Sequence, residues 1–289
     1  MVATGGTLVV GDMHCKEEPI LARVDLAIEK CDVSRVVFCG DYVDEWFMGP
    51  RHLRDALAVL REWVASRRQG GLTVDMVLGN HDMQYVMREA GPGTQPELYD
   101  DVADAMGELG VTVANTVEGW LVTHAGVTAG WAARHLDLGD DVSAARIAAA
   151  LNGLLRAGDR DSLRALMAVG PGRGGCEVPS PLWAHQGELL DDPLLGVDQI
   201  VGHTPVRGVY MWDIPGEPRL VFCDTFGMTP MFEAKGDGGM VLVGGAGEGE
   251  HAREGEGASS GEGGICVVGS EELGCESWYF SARDWLMAN

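Results

Sequence analysis

Leu8-Val9-Val10-Gly11-Asp12-Met13-His14 decides the fold: an apolar run stops at a glycine, and a carboxylate and an imidazole follow at once. The pattern returns four times. Val36-Val37-Phe38 precedes Gly40-Asp41-Tyr42-Val43-Asp44, and Val74-Asp75-Met76-Val77-Leu78 precedes Gly79-Asn80-His81-Asp82. Trp120-Leu121-Val122 leads into Thr123-His124-Ala125-Gly126, and Gln199-Ile200-Val201 into Gly202-His203-Thr204-Pro205. A strand that ends this way puts its polar group where the backbone leaves the sheet. Groups at the carboxyl ends of adjacent strands converge on one crevice.

Helical periodicity fills the gaps between these strands. Glu18 to Cys31 carries Ile20, Leu21, Val24, Ala27, Ile28 and Cys31 at helical spacing, and Arg51 to Arg67 aligns Leu53, Leu57, Leu60 and Val64 before Gly70-Gly71. Residues 7–80 therefore read as β-α-β-α-β, with parallel strands and right-handed crossovers. Residues 128–170 read as a helical insertion. Ser143 caps one helix that ends at Gly158; Asp161 or Ser162 caps another that ends at Gly170-Pro171. Residues 198–243 return to short strands and predict a second, largely antiparallel sheet. The stretch 244–264, rich in Gly and Glu, reads as a flexible loop, because it has too few apolar side chains to order itself. Ile265 to Val268 reads as one more strand, and Trp278 to Met287 as a docking terminal segment, with Trp278 and Trp285 as core anchors. The whole, 1–289, is expected to be a single α/β domain.

Of 289 residues, 46% are hydrophobic and 22% charged, the balance of a globular protein. The formal net charge of −23 repels phosphate backbones and argues against duplex nucleic acid as a partner. The seven cysteines form no CxxC pair and are expected to be reduced thiols. The first residues lack a secretory pattern, and no apolar run reaches the ~18 residues that would cross a bilayer. A cytoplasmic protein without membrane association is the expectation.

The five strand endings carry a chemistry. Asp12 and His14, two residues apart in an extended segment, leave the same side of the backbone. An oxygen and a nitrogen together suit a borderline divalent ion, with Mn first and Fe or Zn as alternatives, over Ca or Mg. Asp41 is placed to join that ion and bridge to a second, for which Asn80, His124 and His203 supply an amide oxygen and two imidazoles. Two ions about 4 Å apart can hold a phosphoryl group and generate a nucleophile near neutral pH. His81 follows a ligand but points the other way in an extended segment, which frees it to act as general acid, with Asp44 to orient it.

The order GDxH, GDxxD, GNHD, HAG, GH resembles the calcineurin-like metallophosphoesterase superfamily, from about Leu8 to Thr204. The resemblance implies a four-layer α/β/β/α sandwich of two facing mixed sheets with a dinuclear site on top. It implies a first metal on Asp12, His14 and Asp41 and a second on Asp41, Asn80, His124 and His203. His81 and Asp44 match the catalytic acid and its partner. Gly40 to Asp44 and His124-Ala125-Gly126 look like the phosphoprotein phosphatase branch, which also holds the diadenosine tetraphosphate hydrolases. The GHxH ending of many phosphodiesterases in the superfamily is replaced here by Gly202-His203-Thr204.

In that branch GDxxD continues into Arg-Gly, and the arginine grips phosphate; here Glu45-Trp46 stands in its place. A carboxylate cannot hold phosphate, so another cation is expected to substitute. Arg173, in Gly170-Pro171-Gly172-Arg173-Gly174-Gly175, is the first candidate and Arg207 the second, with His185 lining the cleft. The expectation is a metal-dependent phosphatase acting on a phosphomonoester or a small phosphoanhydride. Its substrate would be a phosphorylated small molecule, a nucleotide or a phosphoprotein. The rivals are a phosphodiesterase or nuclease of the same superfamily, and a metal-binding regulatory module whose catalysis has decayed.

Overall fold

The computed structural model describes residues 5–46, 48–139, 141–228, 234–244 and 264–274. The chain opens with β1 (Gly6–Val10), α1 (Glu17–Lys30), β2 (Val33–Phe38), α2 (Pro50–Gln69) and β3 (Thr73–Met76). Then come α3 (Asn80–Met87), α4 (Tyr99–Leu109), β4 (Ala114–Val117) and β5 (Trp120–Thr123). The insertion holds α5 (Ala129–His135), α6 (Ala144–Ala157) and α7 (Arg160–Leu166), followed by α8 (Gln186–Asp191). The remainder is β6 (Gln199–Val201), β7 (Tyr210–Trp212), β8 (Leu220–Phe222), β9 (Met240–Val243), β10 (Ile265–Val268) and α9 (Ser270–Leu273).

These strands form two five-stranded sheets, ordered β10-β9-β1-β2-β3 and β4-β5-β6-β8-β7. In the first, β1, β2 and β3 are parallel and β9 and β10 are antiparallel additions at one edge. In the second, β5, β6 and β8 are parallel, flanked by antiparallel β4 and β7. Both sheets are thus mixed. The expectation of a largely antiparallel second sheet is corrected, because crossovers through α5 to α8 and through β7 return the chain in the same direction.

Alternation along the strands builds the layers. Val9, Val37, Val241 and Val243 from one sheet meet Trp120, Val122, Ile200 and Val221 from the other in a dry core between the sheets. Their neighbours Leu8, Val10, Val36 and Phe38 face outward with Leu53, Leu57 and Leu60 of α2 and Ile20 and Val24 of α1. On the second sheet α6 packs over β4 and β5, and Leu189 of α8 packs on Val201, Leu220 and Phe222. The result is the expected α/β/β/α sandwich.

Some local expectations change. α7 is capped by Asp159, whose carboxylate accepts the amides of Asp161 and Ser162, and it ends at Leu166 before the glycines. Ser143 does cap α6, accepting the Arg146 amide. The Gly- and Glu-rich stretch lies outside the described residues except for its ends, as does the segment from Trp278 to Met287. No described helix is long and apolar enough to cross a membrane.

Candidate active site

Three parallel strands in each sheet run the same way, so their carboxyl ends open on one face. β1 delivers Asp12 and His14, β2 Asp41 and Asp44, and the β3-α3 junction Asn80 and His81. β5 delivers His124 and β6 His203. All of these side chains are buried or nearly so. The glycines before them are required by close approach: a Cβ on Gly79 would sit 2.1 Å from Asp41 Oδ1, and one on Gly202 2.1 Å from Asp12 Oδ1. Asp41, Asp44, His14 and His203 themselves adopt positive φ between 47° and 65°, a strained backbone characteristic of functional sites. The extended segment expected from Asp12 to His14 thus breaks at His14, where a turn through Cys15 begins. His81 diverges from Asn80 because both begin helix α3, 100° apart, and not because of strand alternation.

Proton bookkeeping shows what the cluster can hold. His124 Nδ1 lies 2.8 Å from the Cys39 carbonyl, which only accepts, so that nitrogen carries the ring proton. Its Nε2 lone pair then faces Asn80 Oδ1 and His203 Nδ1, each at 2.9 Å, and Asp41 Oδ2 at 3.4 Å. His14 repeats this logic. Its Nδ1 donates to the Asp44 carbonyl at 2.7 Å and leaves Nε2 facing Asp41 Oδ2 at 3.6 Å and Asp12 Oδ2 at 4.0 Å. Burial lowers the pKa of His14 and His124, and that of His203 well below the imidazole range, which keeps the rings neutral. Neutral imidazoles, an amide oxygen and carboxylates that converge on one point, with the His14 and His124 lone pairs turned inward, fit a cation. Asp41 Oδ2 faces both histidine sets, as a shared ligand would. The groups His14, Asp41, His81 and Asp41, His124, His203 each bring their ligand atoms within 4.8 Å.

His81 belongs to the first of those groups by distance, but its chemistry differs. Its Nδ1 is 3.1 Å from Asp44 Oδ2, and its amide donates to Asp41 Oδ1 at 2.9 Å. Burial works against its charge, yet Asp41 and the Asp44 hydrogen bond outweigh it and raise its pKa to about 9. A protonated ring is a poor ligand and a ready proton donor. Asp44 is in turn held by the Tyr85 hydroxyl, 2.6 Å from Oδ1.

Several functional neighbours escaped the sequence reading. Asp82 accepts the amides of Asp41, Tyr42 and Gly79 at 2.8–3.0 Å and so fixes the turn after β2. An acid three residues after Gly79 is the signature of a helix start and could have marked it. Asp224 ends the apolar run Leu220 to Cys223 much as the ligands end theirs, but without a preceding glycine; it is 1% exposed, with Oδ1 unpartnered. Burial, with Asp41 adding to it, lifts its pKa to about 7. Lys16 is fully buried and donates to Glu45 Oε2 at 2.6 Å and to the His14 carbonyl at 3.1 Å. Glu45 thus answers an internal ammonium. Nothing in sequence spacing announced Lys16 or Tyr85.

Among the expected substrate contacts, Arg173 reaches the cluster. One Nη donates to the His203 carbonyl at 3.0 Å and to Thr204 Oγ1 at 3.2 Å, while Nε is buried without a partner. Arg207 is exposed on the loop before β7. His185 caps α8, its Nδ1 accepting the Gly187 amide at 3.1 Å.

Structures similar to this one include a cold-active protein-tyrosine phosphatase from a psychrophilic Shewanella species. The match has a TM-score of 0.54 at 16% identity and covers 83% of this chain and 75% of that one. A protein serine/threonine phosphatase from Saccharomyces cerevisiae matches with a TM-score of 0.51 at 14% identity, over 93% of this chain and 81% of that one. At these identities the likeness is one of fold. No curated protein sequence matches the chain. The profile described as calcineurin-like phosphoesterase matches residues 7–207, which include Asp12, His14, Asp41, Asn80, His124 and His203. The chain belongs to the calcineurin-like phosphoesterase family.

Proposed function

We propose that the chain is a dinuclear metal-dependent phosphatase that hydrolyses a phosphomonoester or a small phosphoanhydride. The observation that carries this reading is the convergence of proton-free acceptors on Asp41 Oδ2 beside a histidine kept protonated by Asp44. Asp12, His14 and Asp41 would hold one ion; Asp41, Asn80, His124 and His203 the other. The donor set, nitrogen and oxygen without thiolate, favours Mn, with Fe or Zn as alternatives. Ions bound there supply Lewis acidity toward a phosphoryl oxygen and lower the pKa of bound water towards 7.

The chain's own residues do the rest. The Arg173 guanidinium is offered to a phosphoryl oxygen through its unpartnered Nε. His81, its Nδ1 committed to Asp44, turns Nε2 to the leaving oxygen and gives up its proton there. The Lys16–Glu45 pair takes the place of a second phosphate-binding arginine and leaves Arg173 as the chief clamp. Turnover of p-nitrophenyl phosphate against bis(p-nitrophenyl) phosphate tests this, with the protein stripped by chelation and then reloaded with Mn. The monoester should be hydrolysed faster, and only after reloading. Preference for the diester would favour a phosphodiesterase, and no turnover of either a binding module.

A further inference from the structure

The glycine-rich loop that carries Arg173 is clasped from behind. Glu188 is the third residue of α8, and its Oε2 accepts the His185 amide at 2.9 Å, closing a capping box. A capping box uses one carboxylate oxygen. The other, Oε1, leaves the helix and accepts the Gly172 amide at 2.9 Å, next in sequence to Arg173. The loop is shaped for this contact. A Cβ on Gly170 would stand 2.3 Å from Glu188 Oε1, and one on Gly172 2.9 Å from Glu188 Cδ and 2.7 Å from the His185 Cβ. The anion these glycines let in is thus an internal carboxylate. From the clasped loop, Arg173 crosses to the His203 carbonyl and to Thr204 Oγ1. Thr204 Oγ1 also accepts the Gln186 amide at 3.2 Å, so α8, the arginine and the β6 strand end form one closed ring of contacts.

We propose that Glu188 is a positioning residue for phosphate binding: its two oxygens join α8 to the Arg173 loop and fix the guanidinium at the His203 side of the site. This rests on the reading of Arg173 as the phosphate clamp. Each of the two amide donors has its own oxygen of this carboxylate, and the two oxygens point to different segments. Glu188→Gln offers one oxygen and one NH₂, so one amide must go unpaired and the loop is released from the helix. Substrate binding then suffers, while the ligands on β1, β2, β3, β5 and β6 stay in place.

The test is a double-mutant cycle on the Mn-loaded protein, with inorganic phosphate as competitive probe, elemental analysis of metal content and kinetics on p-nitrophenyl phosphate. Arg173→Ala should raise the phosphate inhibition constant and lower kcat/KM roughly 10- to 150-fold. Glu188→Gln should raise KM and the phosphate inhibition constant about tenfold, with kcat within about twofold and metal content unchanged. In the Arg173→Ala background, Glu188→Gln should add nothing, because there is no guanidinium left to position. A full further loss in that background would make Glu188 a general structural residue and overturn the proposal. So would wild-type phosphate inhibition in Glu188→Gln beside an impaired Arg173→Ala. An unimpaired Arg173→Ala instead removes the clamp itself, and the positioning role with it. Should Glu188→Gln fail to fold, Gly172→Ala pushes the loop off α8 with the carboxylate retained; it should give the same rise in inhibition constant and the same non-additivity with Arg173→Ala.

Discussion

At the residue scale, one hydrogen bond decides what each histidine is for. The Cys39 carbonyl takes the Nδ1 proton of His124, and the Asp44 carbonyl that of His14, so both rings turn a lone pair to Asp41. At His81 the acceptor is a carboxylate instead, and the charge of Asp41 together with this Asp44 contact raises the pKa of the ring. Replacing His81 by Asn removes the proposed proton donor and keeps a polar side chain beside the proposed metal ligands. Turnover should fall ~10² or more, with metal content by elemental analysis unchanged. Phenyl phosphate should lose more than p-nitrophenyl phosphate, whose leaving group needs little protonation. Loss of metal in that variant would make His81 a ligand and place the acid elsewhere. The strand-end groups that meet at Asp41 were legible in sequence because each follows an apolar run at a strand end. Their second partners were not. Lys16 is paired with Glu45, Tyr85 with Asp44, and Asp224 is set beside Asp41, all distant in the chain, and no local period encodes such pairing.

At the element scale, the parallel core of each sheet was legible where runs of Val, Leu and Ile alternate with amphipathic helices, and less so where strands are three residues long. β6, β7 and β8 carry too few residues to reveal their direction, and the second sheet's mixed character follows from crossovers that only the packed chain displays. The start of α7 was misplaced as well. Asp159 takes the cap by accepting the amides of Asp161 and Ser162, which places both of those residues inside the first turn. The strand-to-helix junctions are the most constrained points. At Gly79 the backbone of the β3-α3 turn lies against the Asp41 turn, and a methyl group there would overlap Asp41 Oδ1 and the Asp41 amide nitrogen, 2.3 Å away. Both atoms belong to a segment pinned by Asp82, so the neighbour cannot retreat cheaply. Gly79→Ala should therefore weaken Mn binding at least tenfold, measured by calorimetric titration of the stripped protein, and lower the melting midpoint. Retained affinity would mean that the Asp41 turn can shift without cost to the ligands.

At the scale of the whole molecule, the acidic excess and the buried ionisable groups set how stability depends on pH. Asp12 and Asp224 are buried close to Asp41, and each is raised by burial and by its acidic neighbours; cations held at the strand ends would relieve that repulsion. Glu17 is a separate case, away from the ligands. It opens α1, is fully buried, and neither oxygen finds a hydrogen-bond partner in another residue. Burial raises its pKa from 4.5 to about 8, and the charge of neighbouring Lys16 only partly offsets this. The sign follows from linkage: the folded state binds this proton more tightly than the unfolded state does. Its contribution is fully present below pH 4.5, declines as pH rises, and is lost above about 8. The loss amounts to a few kcal/mol, on the order of the shift itself. Glu17→Gln removes the titration and leaves a constant offset for the buried amide. Urea unfolding of both proteins from pH 4.5 to 9, at fixed Mn concentration, should show the variant gaining on the wild type up to about pH 8 and holding a level difference above it. A difference between the two that does not change with pH would mean that water or a local rearrangement solvates the Glu17 carboxylate, and that its proton plays no part in the stability of the fold.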